Sequence, residues 1–170
     1  GATAAEIDCP QPGEDLIERP GFSATRSITL GTRPDVVFDW VAQLGTGRAG
    51  WYSYDLIDNF GRRSATTINP AWLVDGVGDE VPAGPTAFSV THLRRPDHLV
   101  LAVDRVGVPG VRVDFSLAYV LGEVDGGTRL VSRARAAVAG PLRRPLTWAL
   151  GVGDGIMVRR QLLGLADRCR

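Results

Sequence analysis

The chain has 170 residues, 44% of them hydrophobic and 22% charged, with 19 basic side chains against 19 acidic ones. That length suits one domain with a substantial core. A formal net charge of +0 leaves no bulk field to draw in nucleic acid or an anionic membrane.

Every basic residue is Arg and none is Lys. They are scattered apart from short pairs such as Arg62-Arg63 and Arg159-Arg160, so the bias reads as a GC-rich coding genome rather than an anion site. Cys9 and Cys169 stand near opposite ends, with no CxxC or Cys/His cluster. No structural metal and no cofactor is therefore expected. The two thiols are expected to be unpaired in a reducing cytosol, a bridge between the termini being the alternative. No run of 18 apolar residues occurs, and the start lacks the features of a signal peptide. A cytoplasmic protein without a membrane span is the expectation.

Residues 1–21 carry three Pro and few large apolar side chains, and predict an extended arm ahead of a single domain over 22–170. Residues 22–31 alternate as a strand, with Ala24, Arg26, Ile28 and Leu30 on one face. Thr32-Arg33-Pro34-Asp35 then opens a helix, Thr32 as its cap, and Val37, Phe38, Val41 and Leu44 form its apolar stripe. Residues 51–60 hold four aromatics in ten positions and predict a short second helix. Residues 64–84 read mostly as loop.

Four strands follow, at 86–94, 98–106, 111–122 and 128–138, joined by hairpin-like turns at Arg95-Pro96-Asp97, Gly107 to Gly110 and Asp125-Gly126-Gly127. Phe88, Val90 and His92 share one face of the first. In the last, Leu130, Ser132, Ala134 and Ala136 oppose Arg129, Val131, Arg133 and Arg135. From about Leu146 a long terminal helix runs to the end. Gly151, Gly153 and Gly155 mark a bend or a close approach in its first half, each at roughly 1 kcal/mol against Ala.

The words ATRSITLGTRPDVVFDWVAQLG, GRAGWYSYDLIDN, SATTINPAW…GVGDEV, TRLVSRARA and MVRRQLLGLADR resemble an actinobacterial protein of the SRPBCC, or START-like, superfamily, of the polyketide cyclase/dehydrase-like type. GRAGWYSYD is the most specific of them. The resemblance implies an α+β helix-grip fold, in which a curved antiparallel sheet wraps a long C-terminal helix and two short helices follow the first strand. It also implies a cavity between sheet and helix. It says little about activity, because function lives in the site rather than the fold.

Within such a cavity the expected walls are Phe88, Leu101, Phe115 and Tyr119, with Ala134 leaving room. Trp51, Tyr52, Tyr54 and Trp72 would stand near its mouth, as a gate or as packing that seals the second helix to the sheet. Arg26 faces inward with Asp114, Asp55 or Asp58 as partner, or else lies in solvent at a frayed strand start. His92 is the candidate general base if there is catalysis. Asp55 and Asp58, three apart on a helix, read as a cap or a solvated face. The first functional reading is the binding of a polyketide-like or lipid-like small molecule. A cyclase or dehydratase acting in the same cavity, and an interaction module without one, are the alternatives.

Overall fold

The computed structural model describes residues 1–106 and 110–170, with the side chains of 104–106 left aside. The predicted turn at Gly107 to Gly110 lies largely outside the described residues. Six strands form one antiparallel sheet in the order β1-β6-β5-β4-β3-β2: β1 Phe22–Leu30, β2 Glu80–Ala83, β3 Thr86–Arg94, β4 His98–Val106, β5 Arg112–Val124 and β6 Gly127–Ala139. The chain is α+β, and the sheet curves around a 26-residue C-terminal helix in the helix-grip manner. Helices α1 (Ala4–Asp8), α2 (Pro34–Ala42), α3 (Asp55–Asp58) and α4 (Arg143–Arg168) complete the fold.

Pairing register sorts side chains onto two faces, because paired residues of antiparallel strands point the same way. Arg26, Ser132, Tyr119, Leu99 and Leu93 make one row across five strands, and Ala24, Ala134, Leu117, Leu101 and Val90 make the next. These rows face α4 and α2. Leu99, Leu101, Tyr119 and Leu130 are fully buried there beside Val37, Phe38 and Leu44. The intervening row, Thr25, Arg133, Ala118, Val100 and His92, faces the opposite, convex side.

The N-terminal arm covers that convex side. It holds a helical turn at Ala4–Asp8, capped by Thr3 and Glu6, and a 3-10 turn at Glu14–Ile17, where an extended course was expected. The three arginines of β6 hold it down. Arg129 pairs with Glu6 at 2.7 Å, and Arg133 and Arg135 pair with Glu14. Arg133, only 6% exposed, also donates to the carbonyls of Glu6, Ile7 and Cys9. A buried guanidinium is tolerated because each donor it presents meets an oxygen.

Three local expectations change. β2 lies within the segment read as loop; it is four residues long and contains Pro82, which an edge strand tolerates. Thr32 does not cap α2. Its hydroxyl donates to the Cys169 carbonyl, fixing the end of α4 to the start of α2, and Arg33 occupies the cap position without a side-chain bond. The second helix is one turn, Asp55–Asp58, because Tyr52 ahead of it adopts φ +57°. Cys9 is exposed and Cys169 buried, and both are free.

Candidate ligand pocket

Two anchors fix α4 over the sheet. Arg26 of β1 forms an ion pair with Asp154, whose side chain is 4% exposed. Two helical turns on, Gln161 accepts a hydrogen bond from the Tyr119 hydroxyl at 2.9 Å. Arg26 therefore faces inward and is paired, but its partner is Asp154 rather than Asp114, Asp55 or Asp58. The α4 glycines mark close approach: a Cβ on Gly151 would stand 3.3 Å from the Phe22 ring, and one on Gly155 would stand 3.6 Å from the Arg26 guanidinium. Gly164 is tighter still, since its Cβ would strike the Tyr52 carbonyl.

Between α4, α3 and the β2–β3 side of the sheet lies a pocket of about 400 Å³. Its apolar walls are Trp51, Ile57, Phe88, Leu117 and Met157. That volume falls within the range of small-molecule sites, as does an apolar lining with a few polar groups. Trp51 meets Phe88 edge-on with ring centroids 5.8 Å apart, and Phe88 tilts against Phe115 at 6.0 Å. An aromatic ladder thus runs from the mouth toward the core. Ile57, 69% exposed, sits at the rim.

The walls are held together by hydroxyls. Thr46 donates to the Asp58 carbonyl at 2.7 Å and accepts from the Gly84 amide and the Trp51 indole, tying α3, the β2–β3 turn and Trp51 together. Ser53 donates to the Met157 carbonyl at 3.0 Å, which ties the loop to α4. Asp58, also in the lining, is different. Both its carboxylate oxygens are shielded from solvent, and no side chain donates to them among the described residues; the nearest donors are the main-chain amides of Asp58 and Tyr54. Burial, with the nearby Asp55 charge, pushes its carboxyl up to about 6. Asp55 itself accepts from the amide and hydroxyl of Ser64.

Of the residues expected around a cavity, Trp51 and Phe88 line this pocket, and Phe115 backs Phe88. Leu101, Tyr119 and Ala134 are buried in the core, where α4 covers them. Tyr52 is a buried anchor: its hydroxyl donates to the Trp40 carbonyl and accepts from Gln43, and Arg168 stacks on its ring at 4.4 Å. Tyr54 is exposed and Trp72 half-buried, and neither lines the pocket. His92 is on the convex face. A bulge between Val90 and His92 shifts the register, which carries His92 across from the face of Val90. Its Nδ1 lies 3.2 Å from the Thr91 hydroxyl. Leu117, Met157, Gln161 and Asp58 were not among the expected site residues. Leu117 lies within the strand expected at 111–122, and Met157 within the expected terminal helix.

Solved structures share this fold. A conserved protein from Geobacillus kaustophilus aligns over 87% of this chain and 95% of its own, with a TM-score of 0.56 and 18% identity. The protein MLL2253 from Mesorhizobium loti aligns over 88% and 99%, at 0.51 and 13%. A Nitrosospira multiformis protein aligns over 88% and 97%, at 0.52 and 11%. Identities this low establish a common architecture alone. No family model and no curated protein matches the chain. Among the described residues no helix is long and apolar enough to cross a membrane, and no cluster of His, Cys, Asp or Glu could hold a metal ion.

Proposed function

We propose that this protein binds an apolar small molecule in the pocket between α3, α4 and the sheet. The supporting observation is the pocket itself: about 400 Å³, walled by two aromatic and three aliphatic or thioether side chains, inside a rim that carries exposed Ile57. A protein that only needed a filled core would bring α3 and Met157 down onto Phe88 and Leu117. Here Thr46 and Ser53 fix the positions of the walls through main-chain carbonyls, with the space left between them. The ligand is polyketide-like or lipid-like in that it offers apolar surface to rings and methyls and a polar group to the Asp58 side. Proton transfer to the bound molecule, the cyclase alternative, draws on Asp58 because His92 faces away. Its signature is deuterium uptake by that molecule in D2O, lost in Asp58→Asn.

The test is titration with the neutral fluorophore N-phenyl-1-naphthylamine, alongside native mass spectrometry of the purified chain. Wild type is expected to bind the probe. Met157→Trp and Ala83→Phe, which fill the pocket from opposite walls, are expected to weaken binding by at least about tenfold, roughly 1.4 kcal/mol, with unchanged melting. Absence of probe binding by wild type, or full binding by both folded variants, overturns the reading.

A further inference from the structure

From the one formal charge that the described residues place in the pocket we infer that its ligand is a cation: an apolar molecule bearing a protonated amine that seats against Asp58. This rests on the proposed pocket and names its ligand class.

Three observations lead there. First, the chain carries 19 basic residues, yet among the described residues none lines the pocket, and the formal charge in the lining is the carboxylate of Asp58. A pocket built for a fatty acid or another anion would present one of the many arginines inward. Second, the hydroxyls of the wall and the Gln161 amide oxygen are already engaged. The Thr46 and Ser53 hydroxyls and the Gln161 amide oxygen each have a protein partner, whereas no side chain donates to either oxygen of Asp58 among the described residues. A shielded carboxylate without a side-chain donor is costly, and a ligand ammonium satisfies it with charge-assisted bonds. Third, Trp51 and Phe88 stand in the same lining, 5.8 Å from each other. Aromatic faces attract cations as well as apolar surface, so they suit both ends of an amphiphilic amine.

The charged surroundings of Asp58 agree. On its own helix Asp55 adds negative charge. The elements that face it across the pocket contribute Thr46, Trp51, Ser53, the Ala83–Pro85 turn, Phe88, Leu117, Met157 and Gln161, none of them ionisable. Among the described residues nothing in the lining neutralises the carboxylate before a ligand arrives. The site therefore gains affinity for a cation as Asp58 ionises, near pH 6 in the free protein. A bound ammonium pulls that ionisation to lower pH.

The experiment compares three probes of one shape on the full chain: 2-naphthylmethylamine, 2-naphthylmethanol and 2-naphthoate, titrated by calorimetry between pH 5 and 8. At pH 7.5 the amine is expected to bind at least about tenfold tighter than the alcohol, and the naphthoate weaker than the alcohol. The amine's advantage should shrink as the pH falls through about 6, while the alcohol's affinity stays level. In Asp58→Asn the amine's advantage over the alcohol should vanish. The pH series on wild type carries the same test without a variant. Equal binding of amine and alcohol at pH 7.5, or an advantage that survives in Asp58→Asn, overturns the cation assignment and leaves the pocket reading intact. Failure of the alcohol to bind at all overturns the pocket reading, and the assignment falls with it.

Discussion

The two faces of the sheet treat buried charge in opposite ways. On the convex face, Arg129 and Arg133 direct their donors to Glu6, Glu14, Ser27, Thr25 and the carbonyls of the arm, and among the described residues only the Nε of Arg135 is left over. On the concave face, Ser132 Oγ, Asp154 Oδ1 and both oxygens of Asp58 are buried without a side-chain partner among the described residues. A face whose buried charges are nearly all satisfied is a structural joint. A face with spare hydrogen-bonding capacity next to open volume has the makings of a site. Removing charges from each face tests whether that contrast is real.

The largest effect is expected at Arg26. Asp154 is more deeply buried than Arg26, and burial already raises its carboxyl above the ordinary range despite the ion pair. Arg26→Leu leaves that carboxyl stranded under α4 and should cost about 3 kcal/mol in urea denaturation at pH 7. Adding Asp154→Leu should recover most of the loss, since the stranded group is then gone. A single variant as stable as wild type would mean that α4 is held by its apolar contacts and Gln161 alone.

A smaller and more local effect is expected on the convex side. Arg133→Met removes the hub of the arm, and should expose residues 1–18 to protease while lowering global stability by about 1–2 kcal/mol. The arm should also respond to acid. Arg129 draws the Glu6 carboxyl down to about 2. Its contribution is therefore complete above the ordinary carboxylate range, near 4.5, and is lost as pH falls toward 2. Limited proteolysis across pH 5 to 2 reads this directly; an arm cleaved equally at both ends of that range breaks the assignment.

Sequence pattern carried the sheet and left much of the site obscure, for physical reasons. Alternation placed Leu130, Ser132, Ala134 and Ala136 opposite the arginines of β6, as observed, because two-residue periodicity is a local property of a regular strand. It misplaced His92, because one extra residue at a bulge reverses every side chain beyond it and leaves no mark in composition. It showed that Arg26 on an inward face would need an acid but not which one, since Asp154 is 128 positions away on a helix whose rotation the sequence does not set. Asp58 read as a cap or a solvated face because the residues that share its pocket, Trp51 and the β2–β3 turn, come to it through tertiary contacts such as that of Thr46. Pairing of residues distant in sequence decides such sites, and one sequence holds little record of it.

The finest test of the contrast sets two carboxyls against each other. Glu6 has its ionisation lowered by a partner, so it adds stability as pH rises from 2 to 4.5. Asp58 has its ionisation raised from 3.8 to about 6 by burial, so it acts with the opposite sign. Between those values the unfolded chain releases the Asp58 proton while the folded chain keeps it. Stability therefore declines as pH climbs from 4 to 6, and levels off above. A fully buried carboxyl with that shift would cost about 3 kcal/mol, and partial solvent screening reduces this to about 1 kcal/mol. Asp58→Asn removes the titration, so the variant should match wild type at pH 4 and exceed it by about 1 kcal/mol at pH 8. A saturating amine should abolish the same slope in wild type, because the ammonium stabilises the ionised form that folding alone disfavours. If the variant and wild type run parallel across the whole range, Asp58 is solvated and carries no unspent charge. The concave face would then resemble the convex one.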